Sequence, residues 1–383
     1  MTRPILPGAT IGIVGGGQLG RMTGMAARAM GYDVHILDPD PRCCARAIAS
    51  RTVTAPYDDE RALVDFAEQV HVITIEIEQV STAALAAAAR VAPVHPRPEA
   101  IHTVQDRARQ KTWLAANGFP VGDFRVVASE PECADAVAAL APCIVKSSMG
   151  GYDGRGQRRV SDRLGGAEAW RAIGAPMCVV ERWVHVEAEL SVLAVRSTTG
   201  EARVLPPSLN HHDHGILTWS VSPAPVDDRR ARDAQALGAA IAKALGVVGL
   251  LAVELFVTTD GRLLVNETAP RPHNTFHQTE RGSETSQFEQ LVRAICGLPL
   301  GGTGAVTPTA IHNLLGDCWR DGGAPDFAAA WAMPGVRVHL YGKGDARPGR
   351  KMGHLSAVAH SSEAARDLVR AAYAAAVTRR HAP

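Results

Sequence analysis

The stretch Gly249 to Asn274, GLLAVELFVTTDGRLLVNETAPRPHN, leaves the fewest folding options open. Two strand-like runs flank Asp260-Gly261, and Asp-Gly between such runs signals a two-residue hairpin loop. Counting back along both strands from Thr259 opposite Arg262 sets Glu254 opposite Glu267. Two carboxylates directly across a ladder, with Cβ atoms roughly 4.5–5.5 Å apart, repel each other. A divalent cation removes the conflict, since Mg²⁺ takes carboxylate oxygens and usually shares them with nucleotide phosphates; Mn²⁺ could replace it. Two glutamates protruding into water is the plainer alternative, which the apolar context weakens. Asn266 points to the opposite face of a regular strand and would join the pair only through a twist or bulge.

A second segment, CIVKSSMGGYDGRGQRRV, carries a β-branched run on each side of the loop Met149 to Gly156, so the loop is expected to join two antiparallel strands. It is not a Walker A loop, because G-x-x-x-x-G-K-[ST] is absent and no amphipathic helix follows. A glycine loop between strands can instead close over nucleotide phosphates with backbone N–H groups while a neighbouring lysine supplies charge. Lys146 holds that position; a ligand-free hairpin would explain the glycines but not Lys146, Asp153 and Arg155 around them. VVERWVHVEAELSVLAV reads as an apolar strand whose edge, with Glu181 and Glu189, could carry adenine and ribose. NHHDHGIL has no second cluster at ligand spacing, which disfavours zinc and leaves His212 as a donor to phosphate. Arg271, His273 and His277 follow the hairpin, placing cationic donors beside the acids. Farther on, VRVHLYGKGDARPGRKMGHLSAVA reads as two strands around a basic turn, either a solvated hairpin or a phosphate clamp for a second substrate.

The N-terminal ATIGIVGGGQLGRMTGMAARAMGYDVHILDPD reads as strand, glycine turn, helix and strand. Gly15, Gly17 and Gly20 have G-x-G-x-x-G spacing, and Asp38 ends the second strand where a dinucleotide-binding unit carries its ribose-binding acid. An NAD-dependent dehydrogenase, another anion site and a bare doubly wound domain all fit that pattern. VHVITIEIEQV is expected to be a strand with Glu76 and Glu78 on one face. A shift to Pro93, Pro96 and Pro98, then a polar helix with Asp106, Arg107 and Lys111, marks a boundary between residues 100 and 112, as a 383-residue chain requires. Forty basic against 39 acidic side chains give no field for nucleic acid. No run approaches the roughly 18 apolar residues of a membrane span, and MTRPILPGAT lacks a signal pattern, so a cytoplasmic location is expected. Seven Cys without a C-x-x-C pair argue against a disulfide framework and a zinc knuckle.

Taken together, GGGQLGRM, QDRARQK, KSSMGGYDGRGQ, NHHDHGIL, VNETAPRPHN, TSQFEQLVRAICGLPLG and RPGRKMGHL resemble the ATP-grasp superfamily, and within it the N5-carboxyaminoimidazole ribonucleotide synthetases. The resemblance implies an α/β and α+β fold: an N-terminal doubly wound domain (1–107), a central two-lobed ATP-grasp domain (108–303) and a small β-rich C-terminal domain (304–383). It assigns Arg107, Lys146, Gly151, Tyr152, Asp153, Gly154, Arg155, Gly156, Gln157, Glu181, Arg182, Trp183, Val184, Glu189, His212, Asn266 and Glu267 to ATP. Glu254 and Glu267 would hold Mg²⁺. Gln18, Leu19, Glu76, Tyr152, Asp153 and Arg155 would contact 5-aminoimidazole ribonucleotide, with Lys343 and Arg350 at its phosphate, while Arg271, His273, Lys146 and Tyr152 would serve catalysis. The implied reaction joins bicarbonate to ATP's γ-phosphate as carboxyphosphate, then carboxylates the ribonucleotide amine. A homodimer is implied, and no biotinyl-lysine module is apparent. Another ATP-grasp ligase, such as a formate-dependent transformylase, would share the nucleotide residues; a dehydrogenase leaves Glu254 and Glu267 unexplained. Thr275-Phe276 replaces the family's Ser-Gly, which is expected to change the space beside the bicarbonate pocket, and Ile75 and Ile77 replace its aromatics.

Overall fold

Short apolar runs alternating with helical segments build a parallel sheet at the N-terminus of the computed structural model, which describes residues 3–151, 156–319 and 323–378. Strands β1 (Thr10–Val14), β2 (Asp33–Leu37), β3 (Arg51–Val53), β4 (Val72–Ile75) and β5 (Val94–His95) lie in the order β3-β2-β1-β4-β5. β1 carries apolar side chains on both faces because both faces are covered: Ile11 and Ile13 enter one core, Val14 another with Ile73 and Ile75. β4 is shorter than expected. Its last ladder partner is Val14, the end of β1, so the strand stops at Ile75 and Glu76 and Glu78 sit in the loop beyond it rather than on one strand face.

An antiparallel sheet follows, formed by β6 (Phe124–Val127), β7 (Cys143–Ser147), β8 (Gln157–Val160) and β9 (Cys178–Arg182) in the order β6-β9-β7-β8. Helices Glu130–Leu140 and Gly166–Ile173 cover it through Val137 and Ala169 against Val145 and Val180. β7 and β8 pair as Lys146 opposite Gln157, so the glycine segment does join two antiparallel strands.

The larger sheet contains β10 (Val186–Arg196), β11 (Ala202–Val204), β12 (Ser208–Asp213), β13 (Ile216–Ser222), β14 (Gly249–Thr258), β15 (Leu263–Ala269), β16 (Thr309–Leu315), β17 (Val336–Leu340) and β18 (Lys351–Val358). Its order is β15-β14-β10-β12-β13-β16-β18-β17, with β11 on β10. The run expected as one strand from Val179 to Val195 is therefore two, β9 and β10, in different sheets, joined through residues 183–185. The C-terminal strands also do not form a separate sheet: β16 pairs with β13, and the central sheet continues through it. Helix Ser362–Val377 closes that end, burying Ala365, Val369 and Ala372 against Leu314 and Leu355.

Candidate active site

The two antiparallel sheets face each other across a cavity of about 990 Å³, and Gln18, Leu19 and the loop from Glu76 to Gln79 close one side of it. The β14/β15 hairpin forms one wall. Thr258 N–H donates to the Arg262 carbonyl (2.9 Å) and Val257 opposes Leu263, so the loop is one residue longer than Asp-Gly suggests. A bulge at Asn266 offsets this: Leu255 opposes Val265, yet Glu254 opposes Glu267. The acid pair thus arises from a longer turn and a compensating bulge. The bulge also swings Asn266 to the acids' side, its Nδ2 making a long 3.5 Å contact with Glu254 while its Oδ1 is buried without a partner among the described residues.

Burial and the neighbouring Glu267 push the Glu254 carboxyl up to about 7. Two close carboxylates beside an unsatisfied amide oxygen form an oxygen-only donor set, which fits a hard divalent cation. Arg107 reaches Glu267 at 3.4 Å, and His273 Nε2 lies 3.5 Å from Glu254. His212 binds Glu189 through Nδ1. Burial works against a charge on His212, but that hydrogen bond and the fields of Glu254, Glu189 and Glu267 outweigh it and raise its pKa.

The opposite wall carries two lysines on one carboxylate. Lys146 Nζ lies 3.0 Å from one Glu181 oxygen, and Lys111 Nζ 3.1 Å from the other. Burial opposes ionisation of Glu181, yet Lys146, Lys111 and Arg107 hold it down to about 2. Its side chain is therefore committed to lysines instead of being open to a ribose. Lys111 comes from helix Arg107–Ala116, whose cap Asp106 accepts from Arg109 N–H (2.9 Å) and from the Ser148 hydroxyl (2.7 Å), fastening the helix to the root of the glycine loop. The Arg159 guanidinium stacks 3.9 Å over Trp183, tying β8 to the crossing between sheets. The Arg182 guanidinium is held by Asp123 at 2.9 Å.

On the third side, Glu76 accepts from Gly17 N–H (2.5 Å) and Gly20 N–H (2.7 Å). A Cβ on Gly15 or Gly17 would come within 2.3 Å of the Glu76 side chain, so the glycines admit a carboxylate of the chain itself. That carboxylate sits at the helix N-terminus, where a dinucleotide's phosphates would have to lie. Asp38 is likewise engaged, accepting from Gly16 N–H (2.6 Å) and the Tyr57 hydroxyl (2.7 Å). These contacts remove the basis for the dehydrogenase reading. Arg271 Nε binds Glu78 at 2.8 Å. Lys343 Nζ reaches Gln18 Oε1 at 2.5 Å, linking the main cavity to a second one of about 430 Å³ lined by Gly16, Gly17, Lys343 and Arg350.

The domain order is matched by family models. A ribonucleotide synthetase preATP-grasp domain model covers residues 8–105, an ATP-grasp domain model 112–288 and a phosphoribosylaminoimidazole carboxylase C-terminal domain model 309–368. The N5-carboxyaminoimidazole ribonucleotide synthase of Brucella melitensis is 40% identical over 355 residues, 92% of this chain and 97% of that protein. The chain belongs to the N5-carboxyaminoimidazole ribonucleotide synthase family. The Bacillus subtilis synthase is 39% identical, over 92% of both chains. Among solved structures, an ADP complex of an N5-carboxyaminoimidazole ribonucleotide synthetase superposes with a TM-score of 0.91 at 38% identity, covering 97% of this chain and 98% of that one. An Aspergillus clavatus N5-carboxyaminoimidazole synthase in complex with ADP and 5-aminoimidazole ribonucleotide gives 0.88 at 30% identity, covering 96% and 98%.

Of the residues this synthase family suggested, Gln18, Leu19, Glu76, Arg107, Lys146, Gly151, Gln157, Glu181 to Val184, Glu189, His212, Glu254, Asn266, Glu267, Arg271 and His273 line the main cavity. Tyr152, Asp153, Gly154 and Arg155 lie outside the described residues. Phe276 contradicts its expectation: a short turn, Asn274–Phe276, directs the ring into the core with Leu291 and Ile295, and Thr275 faces the cavity instead. Lys111, Glu78 and Lys351 also line the cavity and were missed as site residues. Lys111 had a signal, since its spacing from Arg107 puts both on one helix face. Glu78 and Lys351 had local signals as well, Glu78 as the partner of Glu76 in a pair of acids and Lys351 in the basic turn, but nothing local brought them to one cavity.

Proposed function

We propose that this chain is an ATP-dependent ligase that carboxylates 5-aminoimidazole ribonucleotide to N5-carboxyaminoimidazole ribonucleotide, consuming bicarbonate and releasing ADP and phosphate, in purine biosynthesis. The observation that carries this reading is one cavity holding the Glu254–Glu267 pair on one wall, Lys146 and Lys111 on the other and Arg271 with His273 between them. The names and ligands of the relatives support it.

Mg²⁺, held by Glu254 and Glu267 with Asn266 beside them, would neutralise charge on the ATP phosphates. Lys146 projects from the strand that leads into the glycine loop and adds positive charge to the cavity. Arg271 is a fixed cation, since the fields of Glu78, Glu76 and Glu267 outweigh the cost of burial; it can stabilise the charge of carboxyphosphate. Burial and the field of Arg271 keep His273 neutral, so it can accept the proton that the ribonucleotide amine loses on carboxylation. Thr275 Oγ1, 2.8 Å from His273 Nδ1, orients the ring. Gln18 and Lys343 would hold the ribonucleotide, with Arg350 at its phosphate in the adjoining cavity. A glycine loop closing over the nucleotide would exclude water, which otherwise hydrolyses carboxyphosphate.

The domain limits 1–107, 108–303 and 304–383, the homodimer and the cytoplasmic location belong to the same proposal, and sedimentation tests the dimer. The deciding assay is ADP release with MgATP and bicarbonate, with and without the ribonucleotide. Release that needs the ribonucleotide and collapses in Glu267→Gln supports the reading; nucleotide binding without ribonucleotide-stimulated turnover overturns the substrate.

A further inference from the structure

A group of histidines outside the cavity is left unused by this chemistry. β17 and β18 pair with His339 directly opposite His354, and their rings lie 5.0 Å apart at an interplanar angle of 12°. The short helix Thr279–Gly282 adds Glu280, with Oε2 3.8 Å from His339 Nδ1. One ligand atom from each of Glu280, His339 and His354 lies within 4.8 Å of the others. Behind them the imidazole of His277, 1% exposed, stacks on His354 at 4.8 Å with both nitrogens buried and unpartnered.

We propose that Glu280, His339 and His354 form a second cation site, for a borderline divalent ion of the Zn²⁺ class rather than for Mg²⁺. Two imidazoles and one carboxylate are the donors such an ion prefers, whereas Mg²⁺ selects oxygen. Bound nitrogens and oxygens about 2.0–2.2 Å from a metal stand nearer together than the present spread. A rotamer change of Glu280, the exposed member, together with a tilt of the two rings, whose centroids are 5.0 Å apart, would supply the closure. His339 Nε2 is buried with no hydrogen-bond partner among the described residues. The Tyr341 hydroxyl lies 2.9 Å from His354 Nδ1 and can fix that ring's tautomer, the outer contact that metal-bound imidazoles usually have. Arg21 and Arg337 are the cations whose fields reach Glu280, and Arg21 is directed toward the Leu340 carbonyl at 3.4 Å. Three protein ligands leave an open position for water. An ion there would tie Thr279–Gly282, just past the His273–Thr275 segment, to the two strands whose connection carries Lys343 and Arg350.

The test is Co²⁺ titration of the full chain after chelator treatment, followed by visible absorption, in wild type, His339→Asn, Glu280→Gln and Glu267→Gln. One equivalent with the intense visible bands of four- or five-coordinate Co²⁺ is expected, weakened at least tenfold in His339→Asn and Glu280→Gln and unchanged in Glu267→Gln. Circular dichroism and urea midpoint check that the variants are folded. Absence of a stoichiometric band, or a band that survives both His339→Asn and Glu280→Gln, overturns the proposal; so does loss of the band in Glu267→Gln alone.

Discussion

Glu181→Gln separates charge from shape at the centre of the lysine wall. In the wild type, Glu181 holds Lys146 and Lys111, and Lys111 is 2% exposed, with the Val265 carbonyl at 3.3 Å as a further hydrogen-bond partner. Its carboxyl falls from an ordinary value of 4.5 to about 2, which corresponds to about 3 kcal/mol of stability at neutral pH. Because the folded pKa is the lower one, that stability is fully present above about pH 4.5 and is lost as pH falls toward 2. The variant forfeits it at every pH and leaves buried ammonium groups without a counter-ion, so a total cost of about 3–5 kcal/mol is expected at pH 7. Urea unfolding followed by tryptophan fluorescence, repeated from pH 7 down to pH 3, measures the gap between the two proteins. The gap should narrow below pH 4.5, where protonation removes from the wild type what the variant already lacks. A gap under about 1 kcal/mol at pH 7, or one that stays constant to pH 3, would refute the assignment of Glu181 as the shared anion.

Glu78→Gln should lower kcat by about 10–100-fold with the KM for ATP within about twofold, because Arg271 loses the partner that aims it but the nucleotide walls are untouched; steady-state ADP release measures this. Without divalent cation, the folded carboxyl of Glu254 titrates above its unfolded value, so thermal stability should fall as pH rises from about 4.5 through 7, and Mg²⁺ should abolish that slope; scanning fluorimetry with and without Mg²⁺ checks it. Phe276→Ala should cost about 3–5 kcal/mol in urea unfolding through the cavity it leaves in the core, while the KM for bicarbonate stays near that of the wild type.

Local patterns in the sequence carried much of this fold. The apolar run of β1, the strands around the glycine loop and the hairpin at Asp260-Gly261 are each specified by neighbours in the chain. Glu254 and Glu267 were found by counting, although the count relied on a turn one residue too short and missed the bulge that restores the register. What the sequence hid is long-range. Glu76 reads as a strand residue until the end of β1 is known, and its real place, over Gly17 and Gly20, depends on a loop folding back across the sheet. Phe276 looked like an intrusion into a pocket because sequence gives no direction to a side chain in an irregular turn. The engagement of Glu181 by lysines from two separate elements was equally invisible, since Lys111 and Lys146 meet only after helix and sheet have docked.

The pairing of β16 with β13 means that the last third of the sheet is not a detachable module. Expression of residues 1–303 alone would convert β13 from an interior strand into an open rim of unpaired N–H and C=O groups, the kind of template that recruits other chains into aggregates. The same rim offers an opportunity. A separately produced 304–383 piece carries β16 as the complementary strand, so the chain is a natural candidate for split-protein reconstitution, with recovered ATP turnover reporting when the two pieces have zipped together.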